Sequence, residues 1–145
     1  MEYLKDGNTY FIRLIKDENI FKSLEEVAKN EGLTCAHING IGAIKNVELG
    51  FYHLESKHYD RKTFSGEFEL LSLVGNLSLL DGKPIYHIHT SMGCEDFSVK
   101  GGHLFNADCA VTVEIESRAL PFEIERKMDE GIGLNLLSMC QIPHS

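Results

Sequence analysis

The chain has 145 residues, 43% of them hydrophobic, with a net charge of −8 from 14 basic and 22 acidic side chains. That length fits one domain spanning residues 1–145 with its own core, and no apolar run approaches the ~18–20 residues a bilayer span requires. The acidic balance disfavours phosphate-backbone binding, which needs clustered positive charge. The four arginines, Arg13, Arg61, Arg118 and Arg126, are far apart in the sequence.

Met1 to Gly7 is polar, without the basic start and apolar stretch of a signal peptide, so the expected location is the cytoplasm. Thr9 to Ile15 is rich in β-branched and aromatic residues and predicts a strand. Asp17 or Asn19 can cap a following helix, in which Ile20, Leu24, Val27 and Ala28 recur at helical spacing with Phe21 beside them. Gly32 suits its end. Strands are then expected over Thr34 to Gly40, Ile44 to Leu54, Glu67 to Leu80, Pro84 to Thr90, Ala107 to Glu116 and Pro121 to Arg126, with a short last one over Leu134 to Met139. Gly40-Ile41-Gly42, Ser65-Gly66, Asp81-Gly82 and Gly101-Gly102 mark the expected turns, and Asp81-Gly82 between apolar runs signals a hairpin. The pattern predicts an α+β domain, one main helix packed on a mostly antiparallel, strongly curled sheet.

The chemistry concentrates in Pro84-Ile85-Tyr86-His87-Ile88-His89. Residues i and i+2 of a strand share a face, so His87 and His89 can converge on one ion while Tyr86 and Ile88 pack on the other side. His103 follows two glycines, which permit a close backbone approach, and supplies a third imidazole. Three neutral imidazoles suit zinc or another divalent transition metal and leave one position for water or substrate. Cys94, Glu95, Asp96 or a neighbouring subunit are alternatives for a further ligand. The competing reading of His-x-His is two solvated histidines on an exposed strand face. His37, His53, His58 and His144 lack such context and read as structural or solvated. Cys35 and Cys109 sit among apolar residues and read as core. With Cys94 and Cys140 they form no CxxC pair, as expected of reduced intracellular thiols.

Taken in order, Gly40-Ile41-Gly42-Ala43-Ile44-Lys45-Asn46-Val47, Leu49-Gly50-Phe51-Tyr52, Gly66 to Asn76, Asp81-Gly82-Lys83-Pro84, His87-Ile88-His89 and Gly101-Gly102-His103-Leu104 make the sequence resemble the plants-and-prokaryotes-conserved (PPC) domain in its stand-alone prokaryotic form. The resemblance implies one principal helix against an antiparallel sheet, assembly as a homotrimer, and a metal, usually taken as zinc, at His87, His89 and His103. It also carries a predicted DNA-binding label, from plant proteins in which the domain follows an AT-hook. No Arg-Gly-Arg-Pro hook is present here, and three copies would triple the negative charge.

Glu69 and Glu114 are acids inside apolar strand patterns and are the weak candidates for catalysis. Either can accept a proton from metal-bound water only if the fold brings it to the site; the resemblance favours folding or trimer contacts for Glu69. No nucleophile motif, phosphate loop or dinucleotide fingerprint is present. Three functions therefore compete: a trimeric metal-binding domain with a structural role or a small-molecule ligand, a metal-dependent hydrolase or lyase, and a DNA-binding regulator.

Overall fold

The computed structural model describes residues 1–139, which leaves Cys140 and His144 outside the described residues. One helix packs on an eight-stranded, mostly antiparallel sheet. Strand β1 (Glu2–Asp6) pairs with β2 (Thr9–Ile15), and α1 (Ile20–Glu31) follows. The long strands β3 (Ala36–His53), β4 (His58–Leu80), β5 (Lys83–Gly93) and β6 (Val99–Ala119) make up most of the sheet, and β7 (Glu125–Asp129) and β8 (Leu134–Ser138) close the order. Hydrogen-bonded pairs run β3–β4, β4–β5, β5–β6 and β6–β3, so these four strands complete a circuit. Strand β2 extends the sheet from β6, and β7 joins β4 through one parallel bridge, Leu79 to Glu125.

The helix starts where its cap is strongest. Asn19 is extended and its side chain accepts from the Lys22 N–H at 3.2 Å, while Gly32 ends the helix in the left-handed region at φ 64°. Asp17 is instead paired with Lys45. Ile20, Leu24, Val27 and Ala28 face the sheet and are buried. They meet inward side chains of alternating strand positions, among them Ile12 and Leu14, Ile38 and Ile44, Leu73 and Leu77, Ile88 and Met92, Leu104 and Ile115. Each such side chain contributes about 1.5–3 kcal/mol by leaving water.

Several expected boundaries are corrected. Residues 2–6, read as a polar start, form β1. Gly40-Ile41-Gly42 is no turn: β3 runs through it with a register shift between Gly40 and Gly42. The glycines are there because β6 passes against them; a Cβ on Gly42 would lie 2.3 Å from the Thr112 carbonyl oxygen. Ser65-Gly66 is likewise an irregularity within the β3–β4 pair, whose actual turn lies over residues 54–57. Gly101-Gly102 lies inside β6, and the chain reverses instead near Cys94, whose N–H donates to the Ser98 carbonyl at 2.9 Å. The strand expected over Pro121 to Arg126 begins only at Glu125. Asp81-Gly82 does form the hairpin: both residues have positive φ and Leu80 pairs with Lys83. Among the described residues no helix is long and apolar enough to cross a membrane.

Candidate metal centre

Strand β5 is divided cleanly between its two faces. Tyr86, Ile88, Thr90 and Met92 are buried, and the Tyr86 hydroxyl donates to the Leu24 carbonyl at 3.0 Å, which ties the strand to α1. His87 and His89 therefore project together from the opposite face. Antiparallel pairing places His103 of β6 directly opposite His89, and the same His103 pairs with Gly50 of β3 on its other side. Directly opposed residues share a face, so three imidazoles meet. The two glycines allow this crowding: a Cβ on Gly101 would lie 2.8 Å from the Thr90 carbonyl oxygen, and one on Gly102 2.8 Å from that of Gly50.

The ring centroids lie 5.0 Å apart for His87 and His89, 5.2 Å for His87 and His103, and 5.4 Å for His89 and His103. One nitrogen of each ring lies within 4.8 Å of the others, and among the described residues no cysteine or carboxylate joins this group. His87 and His103 are half-buried and His89 is exposed. Burial, and then the neighbouring His87 and His89, hold His103 down to a pKa of about 4, with lesser contributions from Arg61 and Arg126. Burial, then Arg126 and His89, lowers His87 too. Both shifts favour the neutral imidazole, the form that ligates metal. The Nδ1 atom of His103 is buried without a hydrogen-bond partner, so a ring nitrogen in the cluster has lost water and gained nothing in its place.

Aromatic groups back the cluster on one side. Phe105 and Tyr59 lie 4.5 and 5.3 Å from the His103 ring. The Arg61 guanidinium sits 3.8 Å over Phe105 and is held by Glu48 through bonds of 2.8 and 2.9 Å. On the other side is Asn76, the β4 residue opposite His87, which accepts from Arg126 at 2.9 Å. No local sequence signal marks these flanking groups as parts of the cluster. Phe105 was legible in principle, being two residues beyond His103, whereas Tyr59, Asn76 and Arg126 arrive through long-range pairing.

The other candidates lie elsewhere. Glu69 is exposed on β4 opposite Ala43 and Gly93, beside a cavity of about 420 Å³ lined also by Glu67, Cys94 and Glu95. Glu114 is exposed on β6 opposite Arg13 and Ile41. Cys94 accepts from Lys100, and Asp96 from Ser98. Cys35 and Cys109 are buried free thiols, as expected of core residues. His37 is exposed, and His53 and His58 pair at the end of the β3–β4 hairpin, with His53 Nε2 2.8 Å from Asp60 Oδ2.

One helix on an antiparallel sheet whose outer face carries three converging histidines is the arrangement that the ordered motifs imply. The chain belongs to the Plants and Prokaryotes Conserved domain family (abbreviated PCC or PPC), whose model matches residues 1–119. A plant- and prokaryote-conserved protein from Pyrococcus horikoshii is 37% identical, with a TM-score of 0.85 over 94% of each chain. A metal-containing protein from Archaeoglobus fulgidus is 36% identical, with a TM-score of 0.86 over 95% of this chain and 97% of that one. A protein from Bacteroides thetaiotaomicron, described as a candidate DNA-binding protein, is 33% identical, with a TM-score of 0.91 over 94% of this chain and 96% of that one. No curated protein matches the chain significantly.

Proposed function

We propose that this chain is a metal-binding protein of one domain, in which His87, His89 and His103 hold one divalent ion, zinc in the first place, whose remaining coordination position takes a small-molecule ligand. The observation that carries this reading is the convergence of three ring nitrogens within 4.8 Å on one face. That spread exceeds the ~3.3 Å between ligand nitrogens of tetrahedral zinc with bonds of ~2.0–2.1 Å, a difference that ring rotation spans. The orphaned Nδ1 of His103, its lowered pKa and the metal-containing relative, 36% identical, support it. Bound there, the ion would act as a Lewis acid and orient a ligand. Glu69 and Glu114 lie outside the histidine group, so no general base is assigned and the reading stops at binding.

The site works in a homotrimer in a reducing cytoplasm. Leu71, Phe97, Val99 and Val111 are exposed around the Glu69 cavity, an apolar surface that a second copy would cover, and the free thiols of Cys35 and Cys109 suit that compartment. Sedimentation at three times the chain mass is the expected result.

The decisive experiment is elemental analysis of untagged protein purified without chelator, beside His89→Ala. Near one zinc per chain, lost in the variant, is expected; no metal in either protein refutes the reading. Duplex DNA binding is the second reading, favoured by the description of the Bacteroides relative and opposed by the net charge of −8. Titration at two salt concentrations separates them, since phosphate contacts weaken steeply with salt.

A further inference from the structure

Arg126 stands out among the charged groups near the histidines. Its guanidinium is half-buried, yet all three of its hydrogen bonds go to neutral acceptors: Ser78 Oγ at 2.8 Å, Asn76 Oδ1 at 2.9 Å and the Asn135 carbonyl at 3.1 Å. Among the described residues no carboxylate lies within ion-pair distance of it. Arg61, across the cluster, is by contrast neutralised by both oxygens of Glu48. The five N–H groups of a guanidinium leave two free after these three bonds, one on each terminal nitrogen.

The place of Arg126 follows from register. Asn76 and Ser78 alternate along one face of β4, and Asn76 is the residue directly opposite His87. Arg126 lies along that row, so its charge sits next to the imidazoles and is felt by both His87 and His103. A divalent ion on three neutral imidazoles adds two further positive charges, with no carboxylate in the group to offset them. Half-buried, uncompensated charge is costly unless a counter-charge arrives.

We propose that Arg126 makes the metal centre an anion receptor, whose ligand is a small carboxylate with one oxygen toward the ion and another against the guanidinium. This rests on the metal-binding reading above and names the class of ligand it takes. The fork geometry of the guanidinium matches a carboxylate, and Phe105 and Tyr59 supply an apolar wall on the His103 side.

The test loads the full chain with cobalt(II), whose visible spectrum reports its ligands, and titrates it with oxalate or with the neutral analogue oxamide. Oxalate is expected to shift the spectrum saturably and oxamide not. Arg126→Gln is expected to keep one cobalt per chain and to weaken oxalate by about 10- to 100-fold, the loss of a charge-assisted pair. Equal affinity in wild type and variant, no response to oxalate, or an equal response to oxamide overturns the proposal while leaving the metal reading intact. Absence of cobalt from the wild-type protein overturns both. If Arg126→Gln fails to fold, Arg126→Lys decides: it keeps the charge and loses the fork, so weaker oxalate binding with cobalt retained supports the proposal and unchanged affinity refutes it.

Discussion

Gly75→Ala tests how the sheet aims the histidines. Gly75 is paired with Ile88 in the β4–β5 ladder, and a Cβ built on it lies 2.2 Å from the His87 carbonyl oxygen and 3.0 Å from the Ile88 Cα. Both atoms are backbone, so the added methyl cannot be relieved by a rotamer change. Ordinary contact with a carbonyl oxygen is about 1 Å longer, so β5 must move by roughly that much at His87. Overpacking costs ~1–3 kcal/mol and each weakened ladder bond ~1 kcal/mol, which gives a loss of about 2–4 kcal/mol in urea unfolding of the metal-free protein. Ligand distances tolerate only ~0.2 Å, so zinc affinity measured by chelator competition is expected to fall at least about tenfold. Gly93→Ala, on the facing strand β5, is the control: its nearest neighbour is the Glu69 Cβ at 3.6 Å, ordinary contact, and it is expected to stay within ~0.5 kcal/mol with zinc affinity unchanged. Equal behaviour of the two variants would refute the claim that close backbone approach positions His87.

Tyr86→Phe removes the bond from β5 to the Leu24 carbonyl and is expected to cost about 1 kcal/mol, read by urea unfolding; no change would mean the helix is docked by its apolar face alone. Asn19→Ala is expected to cost ~1–2 kcal/mol, since Asn19 caps α1 and its amide also donates to Asn106 and Asp108; a loss below ~0.5 kcal/mol would show the cap to be redundant. The metal-free protein should lose stability as pH falls from 6.5 toward 4. In that window the unfolded histidines bind protons that folded His103, held at a pKa of about 4, does not, and stability rises with pH wherever the unfolded state binds more protons. Urea midpoints at pH 7 and pH 5 measure this, and His103→Phe should reduce the slope; an unaltered slope counts against His103 as its source.

The local signals in the sequence were read correctly where local chemistry decides the structure. Strand β2 has the expected ends, α1 starts at its cap, and Asp81-Gly82 turns the chain. The errors share one cause. Glycine marks both a turn and a place where another strand presses close, and only tertiary pairing distinguishes the two. At Gly42 and Gly102 the neighbours are the carbonyl oxygens of Thr112 and Gly50, remote in sequence, so single strands were divided at positions where they continue. The His-x-His spacing gave two members of the histidine cluster through strand alternation, and His103 joins it after two glycines that serve a close strand approach and not a turn. Arg126 carried no signal at all, because its importance comes from the β4 residues on which it lies.

The circuit of strands closes over very different stretches of chain. His89 meets His103 across a hairpin, a separation of 14 residues, whereas β3 and β6 join residues 53 to 83 positions apart. Loop-closure entropy makes the hairpin about 1–2 kcal/mol cheaper to form, and contacts of short range are made early in folding. All three imidazoles belong to that hairpin. The histidines can thus assemble before β6 has found β3, and an ion captured at that stage would pin the register from which the ring is completed, acting as a folding template before it acts as anything else.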